Sequence, residues 1–453
     1  MMKEASHMGI DQLSLELAQH LTDCYFEVVQ RHLPFVNKND FGSTSMGPGS
    51  SHNQALVYAV YMAGAHVDGN THLEEACYVA ARYHLENAQR DANGSKFWTL
   101  EVAQALILVA RYEFTHTKAP KALLTMARLN QLLQILWYNG LSEHSAKTQS
   151  PLPTLVDLQI TVQERNTHLG VKRIYLAALA MRCRQAFTSI PAVQESDDTR
   201  SLSQVIRSRS PIGEEQEFPF CSSLSSNSLE QLDPFSLFAL ALKIAADVDR
   251  HYDNMATDVK SGKVVYNFCH HHAGNNSDIG ILVSWLTRDS TSAISSSPDW
   301  VLRILAMIIA LGARIQLYNT AIIWGERAKF LSPATIRCQT QNVSTAKDIS
   351  DILLQAEVLD DSKVKTFREA GFFIMPSLAL AANAHIIATK LGNSDTVHWY
   401  VDHEARKSLE TIYTVMEACD DETDRYRSCL DTCKGVLEST HGGTVLRTEF
   451  VQG

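Results

Sequence analysis

Hydrophobic residues recur along most of this chain at the spacing of an α-helix. A period near 3.6 residues places such positions on one helix face, where they can be buried together. The same spacing continues in Leu129–Leu136 and in Leu409–Met416. The clearest stretch has the apolar positions Leu237, Leu240, Ala241, Ile244, Ala245 and Val248. This pattern predicts an all-α fold, a multi-helix globular bundle.

Helix start and stop signals accompany several of these stretches. Asp233-Pro234 precedes one of them and predicts an N-cap followed by proline in the first turn. The long apolar helix Trp300–Ile323 follows Ser297-Pro298, a second start signal. Another helix is predicted to begin at Pro376 and to run to Lys390, before Leu391-Gly392.

Three segments interrupt the helical pattern and predict loops. Gly42–Asn53 is rich in Gly and Ser, Glu195–Asn227 is rich in Ser and charge, and Ser290–Ser297 is the third. No repeat of fixed period is evident. We therefore predict an N-terminal tail at 1–12, one helical domain at 13–416 with a Ser-rich insertion near 195–227, and a C-terminal tail at 417–453.

Composition and charge narrow the class of protein. The chain is 45% hydrophobic and 20% charged, as ordinary globular proteins are, and its net charge is −10. A negative chain is disfavoured as a ligand of nucleic acids or anionic membrane surfaces. The nine scattered cysteines, an odd number, and a polar N-terminus indicate reduced thiols and a soluble cytoplasmic protein. The uncharged run Ala370–Thr389 contains Pro376 and predicts a buried helix rather than a membrane span.

The sequence contains two clusters of residue types that bind metals. Cys269-His270-His271-His272 has Asp278 nearby, but adjacent histidines point in different directions and cannot all reach one ion. Cys429 and Cys433 are one helical turn apart, with Cys419 alone upstream, which indicates two thiols on one helix face. We therefore expect no metal site and no cofactor.

Other motifs also favour structural interpretations. Gly47–His52 lacks the Lys-Ser/Thr of a phosphate loop, and a flexible connector is predicted. Asp247, Asp249 and Asp253 resemble the magnesium-binding helices of terpene cyclases, but only the last two are four residues apart, which favours a solvated face. The basic residues of one stretch do not form a stripe, which indicates an exposed rim rather than a DNA-binding surface: Arg165, Lys172, Arg173, Arg182 and Arg184.

The histidines are the remaining candidates for catalytic residues. No spacing selects among them, so no catalytic residue is assigned, and no DNA-binding residue is expected. The candidate histidines are His66, His84, His270, His271, His272 and His385.

The N-terminal third carries motifs that resemble a known family. Leu21–Phe41 has the pair Tyr25-Phe26, the step Pro34-Phe35 and a terminal Phe41. Thr99–Glu113 follows Ala81-Arg82-Tyr83 and contains Val102, Gln104, Ala105 and Leu106, a valine-x-glutamine-alanine-leucine helix. This order resembles the middle homology region of fungal zinc-cluster transcription factors, the fungal-specific transcription factor domain.

Further segments extend the resemblance over about 13–416. Leu129–His144 occupies the place of a helix that ends in Gly-Leu-His, here Asn139-Gly140-Leu141. Glu164–Pro191 follows, and the late apolar helices at 311–323 and 376–387 are similar to two helices of the family. The family's paired Trp and Gly-Arg-Pro turn are replaced here by Tyr175 and by residues 188–191.

The family's DNA-reading module would need six cysteines in a compact basic segment ahead of this region. The first cysteine here is Cys24, so we expect a regulatory helical region without that module. Ser6-His7-Met8 is similar to a cloning scar, in which case the module was removed.

The resemblance implies a nuclear transcription regulator, often of a metabolic gene cluster, that works through partner proteins or a small apolar effector. Fold does not fix function. An enzyme, such as a cyclase or hydrolase on a hydrophobic metabolite, is therefore a second hypothesis, and a purely structural adaptor is a third.

Overall fold

The computed structural model describes residues 13–45, 50–90, 97–116, 119–142, 173–174, 176–181, 229–230, 232–261, 266–290, 299–327, 333–392, 399–419 and 426–448. These residues are mostly helical and include no β-strand, so the predicted all-α fold is confirmed. The N-terminal helices are α1 Leu15–Cys24, a π-helical turn Tyr25–Val29, α2 Gln30–His32, α3 Lys38–Ser45, α4 Ser51–Asp68, α5 Thr71–Arg90, α6 Leu100–Thr115 and α7 Ala119–Ser142. The later helices are α8 Pro234–Ser261, α9 Tyr266–Ser290, α10 Trp300–Arg327, α11 Pro333–Gln355, α12 Asp361–Gly392, α13 Trp399–Cys419 and α14 Arg427–Thr448.

The described helices form two compact units. The first unit contains α1–α7 and the helical residues 173–174 and 176–181. In this unit α4 packs against α1, α5 and α6, and α6 packs against α7. In the second unit, which contains α8–α14, the apolar helix α10 contacts α8, α9, α11 and α12. Helix α14 lies within the segment predicted as a C-terminal tail, and the Ser-rich insertion lies outside the described residues. The predicted domain limits stay a prediction.

The predicted N-cap of α8 is present. The Asp233 carboxylate accepts a hydrogen bond from the Ser236 backbone N–H at 2.7 Å, and Pro234 is the first helical residue. Such a cap satisfies one of the N–H groups that have no partner inside the helix.

The predicted start of a helix at Pro376 is wrong, because α12 begins at Asp361 and includes Pro376 in its interior. Proline removes one backbone hydrogen bond and crowds the preceding turn, at a cost of about 3 kcal/mol. Phe373, Ile374 and Leu378 are buried around it, and their burial offsets this cost.

The predicted connector at 47–52 is wrong at its end. Ser51 and His52 form the first turn of α4, while residues 46–49 lie outside the described part of the chain. The predicted loop at 42–53 is likewise shorter than expected, because α3 extends to Ser45. Backbone hydrogen bonds of the helix ends therefore outweigh the turn preference of these Ser and Gly residues.

In each unit a glycine allows two helices to lie in close contact. A Cβ atom placed on Gly64 of α4 would lie 2.1 Å from the Leu21 carbonyl oxygen of α1. In the second unit, a Cβ on Gly312 of α10 would lie 2.2 Å from the Ser377 hydroxyl of α12. Both distances are far inside van der Waals contact, so a larger side chain cannot enter without moving a helix.

Within the described residues, two helical segments are long and apolar enough to cross a membrane, Trp300–Gly325 and Lys363–Thr389. In each, 83% of the most apolar window is buried inside the protein. Burial against other helices is typical of the core helices of a globular protein, which pass the same test of length and composition.

Candidate functional site

The two strongest motifs of the N-terminal third contact each other directly. The Gln104 side-chain amide of α6 donates a hydrogen bond to the Phe35 carbonyl at 2.8 Å, in the buried interior. The N-terminal segment is also held internally, since Gln30 Nε2 donates to the Val36 carbonyl at 2.6 Å and the Tyr25 hydroxyl donates to Gln30 Oε1 at 3.2 Å. The motif residues thus hold the N-terminal segment in one conformation against α6.

Aromatic rings complete this contact. Phe26 packs edge-on against Tyr25 at a ring-centroid distance of 5.0 Å and against Phe41 at 5.9 Å. Burial raises the pKa of Tyr25, and burial together with the Arg111 guanidinium lowers the pKa of His32 well below its usual value. Both side chains are therefore neutral at pH 7, as side chains of a packed core should be.

We expect Gln104→Met to destabilise the first unit by about 1–2 kcal/mol, because the Phe35 carbonyl loses a buried donor while the side-chain volume is nearly kept. Urea unfolding followed by circular dichroism measures the change. Gln19→Met, at an exposed position of α1, is the matched control and should change stability by less than about 0.5 kcal/mol. Equal stabilities of the two variants would contradict the described role of Gln104.

A buried carboxylate joins three helices of the same unit. Glu113 of α6 is fully buried, and its Oε1 atom accepts from the Tyr78 hydroxyl at 2.8 Å and from Arg82 Nη2 at 3.0 Å. The Thr125 hydroxyl of α7 donates to Oε2 at 2.7 Å. Burial and the bond to Glu113 raise the pKa of Tyr78 to about 12. The charge of Glu113 is thus paired with Arg82, as a buried charge requires.

A second buried carboxylate, Glu74, lies at the turn between α4 and α5. Gly69 adopts a left-handed φ of 77°, and its N–H and that of Asn70 bond the His66 and Ala65 carbonyls. This is a Schellman helix end, which reverses the chain in very few residues. It places His66, in the last turn of α4, beside Glu74 in the first turn of α5, with 3.0 Å between Nδ1 and Oε1.

His116, at the end of α6, reaches the same carboxylate. Its Nε2 atom lies 3.4 Å from Glu74 Oε1, and the two imidazole centroids are 6.0 Å apart. The Tyr112 ring stacks on His116 at 4.0 Å, and the Tyr112 hydroxyl donates to Glu75. Burial and the bond to Glu75 raise the pKa of Tyr112.

Two groups in the described residues have ligand atoms within 4.8 Å of one another, close enough for a single cation. One is His66, Glu74 and His116, and the other is His20, Cys24 and Asp68. In the second group His20 Nε2 lies 2.9 Å from Asp68 Oδ1 and 3.7 Å from Cys24 Sγ, and both His20 and Asp68 are exposed.

The sequence-derived metal candidates do not converge in this way. Cys269, His270 and His271 are exposed on α9, whereas His272 turns inward toward His251 at 5.7 Å between rings. Cys429 and Cys433 of α14 share a hydrogen bond that raises the pKa of the Cys433 thiol. Cys419 is elsewhere, and its thiol donates to the Phe367 carbonyl at 3.4 Å.

The acidic residues of α8 are also separate. Asp247 pairs with Lys243 at 2.5 Å and with Arg250 at 3.2 Å, while Asp249 is buried. Within the described residues these carboxylates form no group that could hold one cation. Most of the basic stretch at 165–184 lies outside the described residues.

Of the histidines considered for catalysis, only His66 joins a cluster of ligand atoms. His84 stacks on Tyr58 at 5.4 Å, and burial lowers the pKa of His385 to about 4. Sequence reasoning missed Glu74 and His116. No local pattern marks them, although Gly69-Asn70 indicates a tight turn that brings the residues on either side together.

The protein is all-α, and buried polar contacts connect the helices of its first unit. Residues 22–180, which include most of this unit, match the family model described as the fungal specific transcription factor domain. The resemblance inferred from the sequence is confirmed over these residues.

Two curated relatives carry the same printed name, depudecin biosynthesis cluster-specific transcription activator DEP6. The Alternaria brassicicola protein is 30% identical over an alignment of 190 residues that covers 39% of this chain and 28% of that protein. The Fusarium langsethiae protein is 29% identical over 141 residues, 31% of this chain and 22% of that protein. The matched region therefore spans only about a quarter of these relatives. No solved structure matches the chain significantly.

Proposed function

We propose that this protein regulates transcription of a gene cluster for a fungal secondary metabolite and acts in the nucleus. The observation that carries the proposal is the domain match over 22–180, together with relatives named as cluster-specific transcription activators. The motif residues in this match, Phe35 and Gln104, bond to each other. The resemblance thus concerns residues that build one folded unit rather than scattered helices.

We also propose that its route to DNA runs through partner proteins, either the transcription machinery or a DNA-binding factor, with a small apolar effector as a second input. The net charge of −10 supports an indirect route, because DNA affinity comes mainly from Lys and Arg that neutralise phosphates. Val79 and Tyr83 support a partner surface, since both are exposed one turn apart on α5.

A deletion strain tests the regulator hypothesis against the enzyme hypothesis. We expect transcripts of the cluster to fall, with no single intermediate accumulating. Driving the biosynthetic genes from a constitutive promoter in the same strain should restore the product. A missing enzyme would give the opposite result: unchanged transcripts, one accumulated substrate and no rescue by the promoter. Complementation with the wild-type gene is the control for both strains.

The indirect route has its own test. Chromatin immunoprecipitation of the tagged protein should recover the cluster promoters, whereas the purified chain alone should not retain the same promoter DNA at physiological salt. Tight, salt-sensitive binding by the purified chain would contradict the partner proposal and indicate direct contact with phosphates. A scrambled promoter fragment is the matched control.

A further inference from the structure

Glu74 has a buried carboxylate in contact with two histidines, and its negative charge needs a compensating positive charge. The Glu74 side chain is only 4% exposed, and its carboxylate pairs with the imidazoles of His66 and His116. Among the described residues no Lys or Arg forms an ion pair with it. A buried carboxylate is costly unless a positive charge compensates it.

The position of the proton on the His116 ring determines which of its two nitrogen atoms can bind a cation. Its Nδ1 atom lies 3.0 Å from the Tyr112 carbonyl and 3.1 Å from the Thr115 hydroxyl oxygen. A carbonyl can only accept, so Nδ1 carries the proton and, in the neutral ring, Nε2 presents a lone pair. That lone pair faces the carboxylate oxygen at 3.4 Å, a repulsive contact unless a proton or a metal cation lies between them.

We propose that His66 Nδ1, Glu74 Oε1 and His116 Nε2 form a Zn²⁺ site with an open fourth position for water. Bonds of about 2.0–2.1 Å from a tetrahedral zinc ion put neighbouring ligand atoms about 3.3 Å apart. The separations from Glu74 Oε1 to His66 Nδ1 and His116 Nε2 are 3.0 and 3.4 Å, and all three atoms lie within 4.8 Å of one another. Two imidazoles and one carboxylate suit zinc, whereas Mg²⁺ and Ca²⁺ prefer oxygen ligands alone.

The surroundings of the three residues are those of a metal-ligand set. The bond from His116 Nδ1 to the Tyr112 carbonyl orients the ring, as outer hydrogen bonds do for metal-bound histidines. The Tyr112 ring stacks on the same imidazole and limits its rotation. The His66 and His116 side chains are 27% and 34% exposed, so an ion can enter from solvent while the carboxylate stays buried.

The site would join the turn between α4 and α5 to the end of α6. Binding an ion that the unfolded chain binds less tightly stabilises the folded state, so zinc should raise the stability of the first unit. The proposal does not rest on the regulatory function, because its readouts are binding and stability of the purified full chain.

The test is titration of the chelator-treated full chain with ZnCl₂ by isothermal titration calorimetry. We expect one tight site, weakened at least about tenfold in His116→Gln and in His66→Gln. His20→Gln, which alters the exposed group with Cys24 and Asp68, is the matched control and should leave the tight site unchanged. Circular dichroism checks that each variant is folded, and zinc should raise the midpoint of thermal unfolding only where the tight site remains.

Cobalt provides a readout that needs no variant. Co²⁺ bound to the wild-type chain should give visible bands of a tetrahedral site without the ultraviolet thiolate charge-transfer band, and excess Zn²⁺ should abolish these bands. A thiolate band would assign the ion to cysteine and overturn the proposal. It is equally overturned if tight binding survives in both His116→Gln and His66→Gln, is lost in His20→Gln, or is absent from the wild-type chain.

Discussion

Gly64→Ala is expected to destabilise the first unit by about 3 kcal/mol or more. The added Cβ would lie 2.1 Å from the Leu21 carbonyl oxygen and 2.8 Å from its carbonyl carbon. These are backbone atoms, so no side-chain rotation relieves the overlap, and α1 must move away from α4. Overpacking of a core commonly costs about 1–3 kcal/mol and more where nothing can shift.

Hydrogen exchange of the full chain measures this effect where it arises. Amides of α1 and α4 should lose protection in Gly64→Ala, while those of α10 and α12, in the other compact unit, keep it. Gly280→Ala is the matched control, because Gly280 lies inside α9 with no atom within 4 Å of the added Cβ. There alanine should stabilise the helix by up to about 1 kcal/mol. If Gly64→Ala behaved like this control, the described contact between α1 and α4 would be wrong.

Glu113→Ala is expected to cost about 3 kcal/mol or more, the second of the two large effects. The substitution leaves the Arg82 guanidinium and the Tyr78 hydroxyl without the buried carboxylate that they contact at 3.0 and 2.8 Å. Removing one partner of a buried ion pair typically costs about 3–5 kcal/mol. The Arg82 side chain remains 24% exposed, and water recovers part of its solvation, which places the expected value near the lower limit.

Urea unfolding measures this cost with two further variants. Glu113→Gln keeps the shape and one acceptor but removes the charge, so its effect should fall between wild type and Glu113→Ala. Glu86→Gln breaks the exposed pair with Arg90, at 3.6 Å, and should change stability by less than about 0.5 kcal/mol. Similar losses for Glu86→Gln and Glu113→Ala would contradict the assignment of a buried network.

A substitution at a buried carboxylate can weaken folding without any metal being involved. The zinc titration therefore needs a check that each variant is folded. Glu113 and Glu74 belong to the same unit, yet Glu113 is paired with a guanidinium and Glu74 with two imidazoles. A guanidinium has no lone pair for a metal ion, whereas the unprotonated nitrogen of a neutral imidazole has one. Of these two carboxylates, Glu74 is therefore the one with imidazole lone pairs beside it, and Glu113 is expected to act in stability alone.

The sequence by itself determined the helices and some of their ends. Helical periodicity depends on residues three and four apart, so the pattern of Leu237–Val248 was sufficient to predict α8, and Asp233 was sufficient to predict its cap. The resemblance also selected Phe35 and Gln104 from the sequence. The pattern around Pro376 misled, because proline's local preference was outweighed by the burial of its neighbours in α12.

Only the tertiary structure decided which polar side chains meet. His66 and Glu74 face each other because Gly69 reverses the chain, and His116 joins them because α6 packs on α4. Likewise, the sequence around Gly64 does not distinguish it from any other glycine in a helix. Its role follows from the Leu21 backbone, which lies against it in the structure. Such contacts depend on packing between segments distant in the chain, and no periodicity along one segment encodes them.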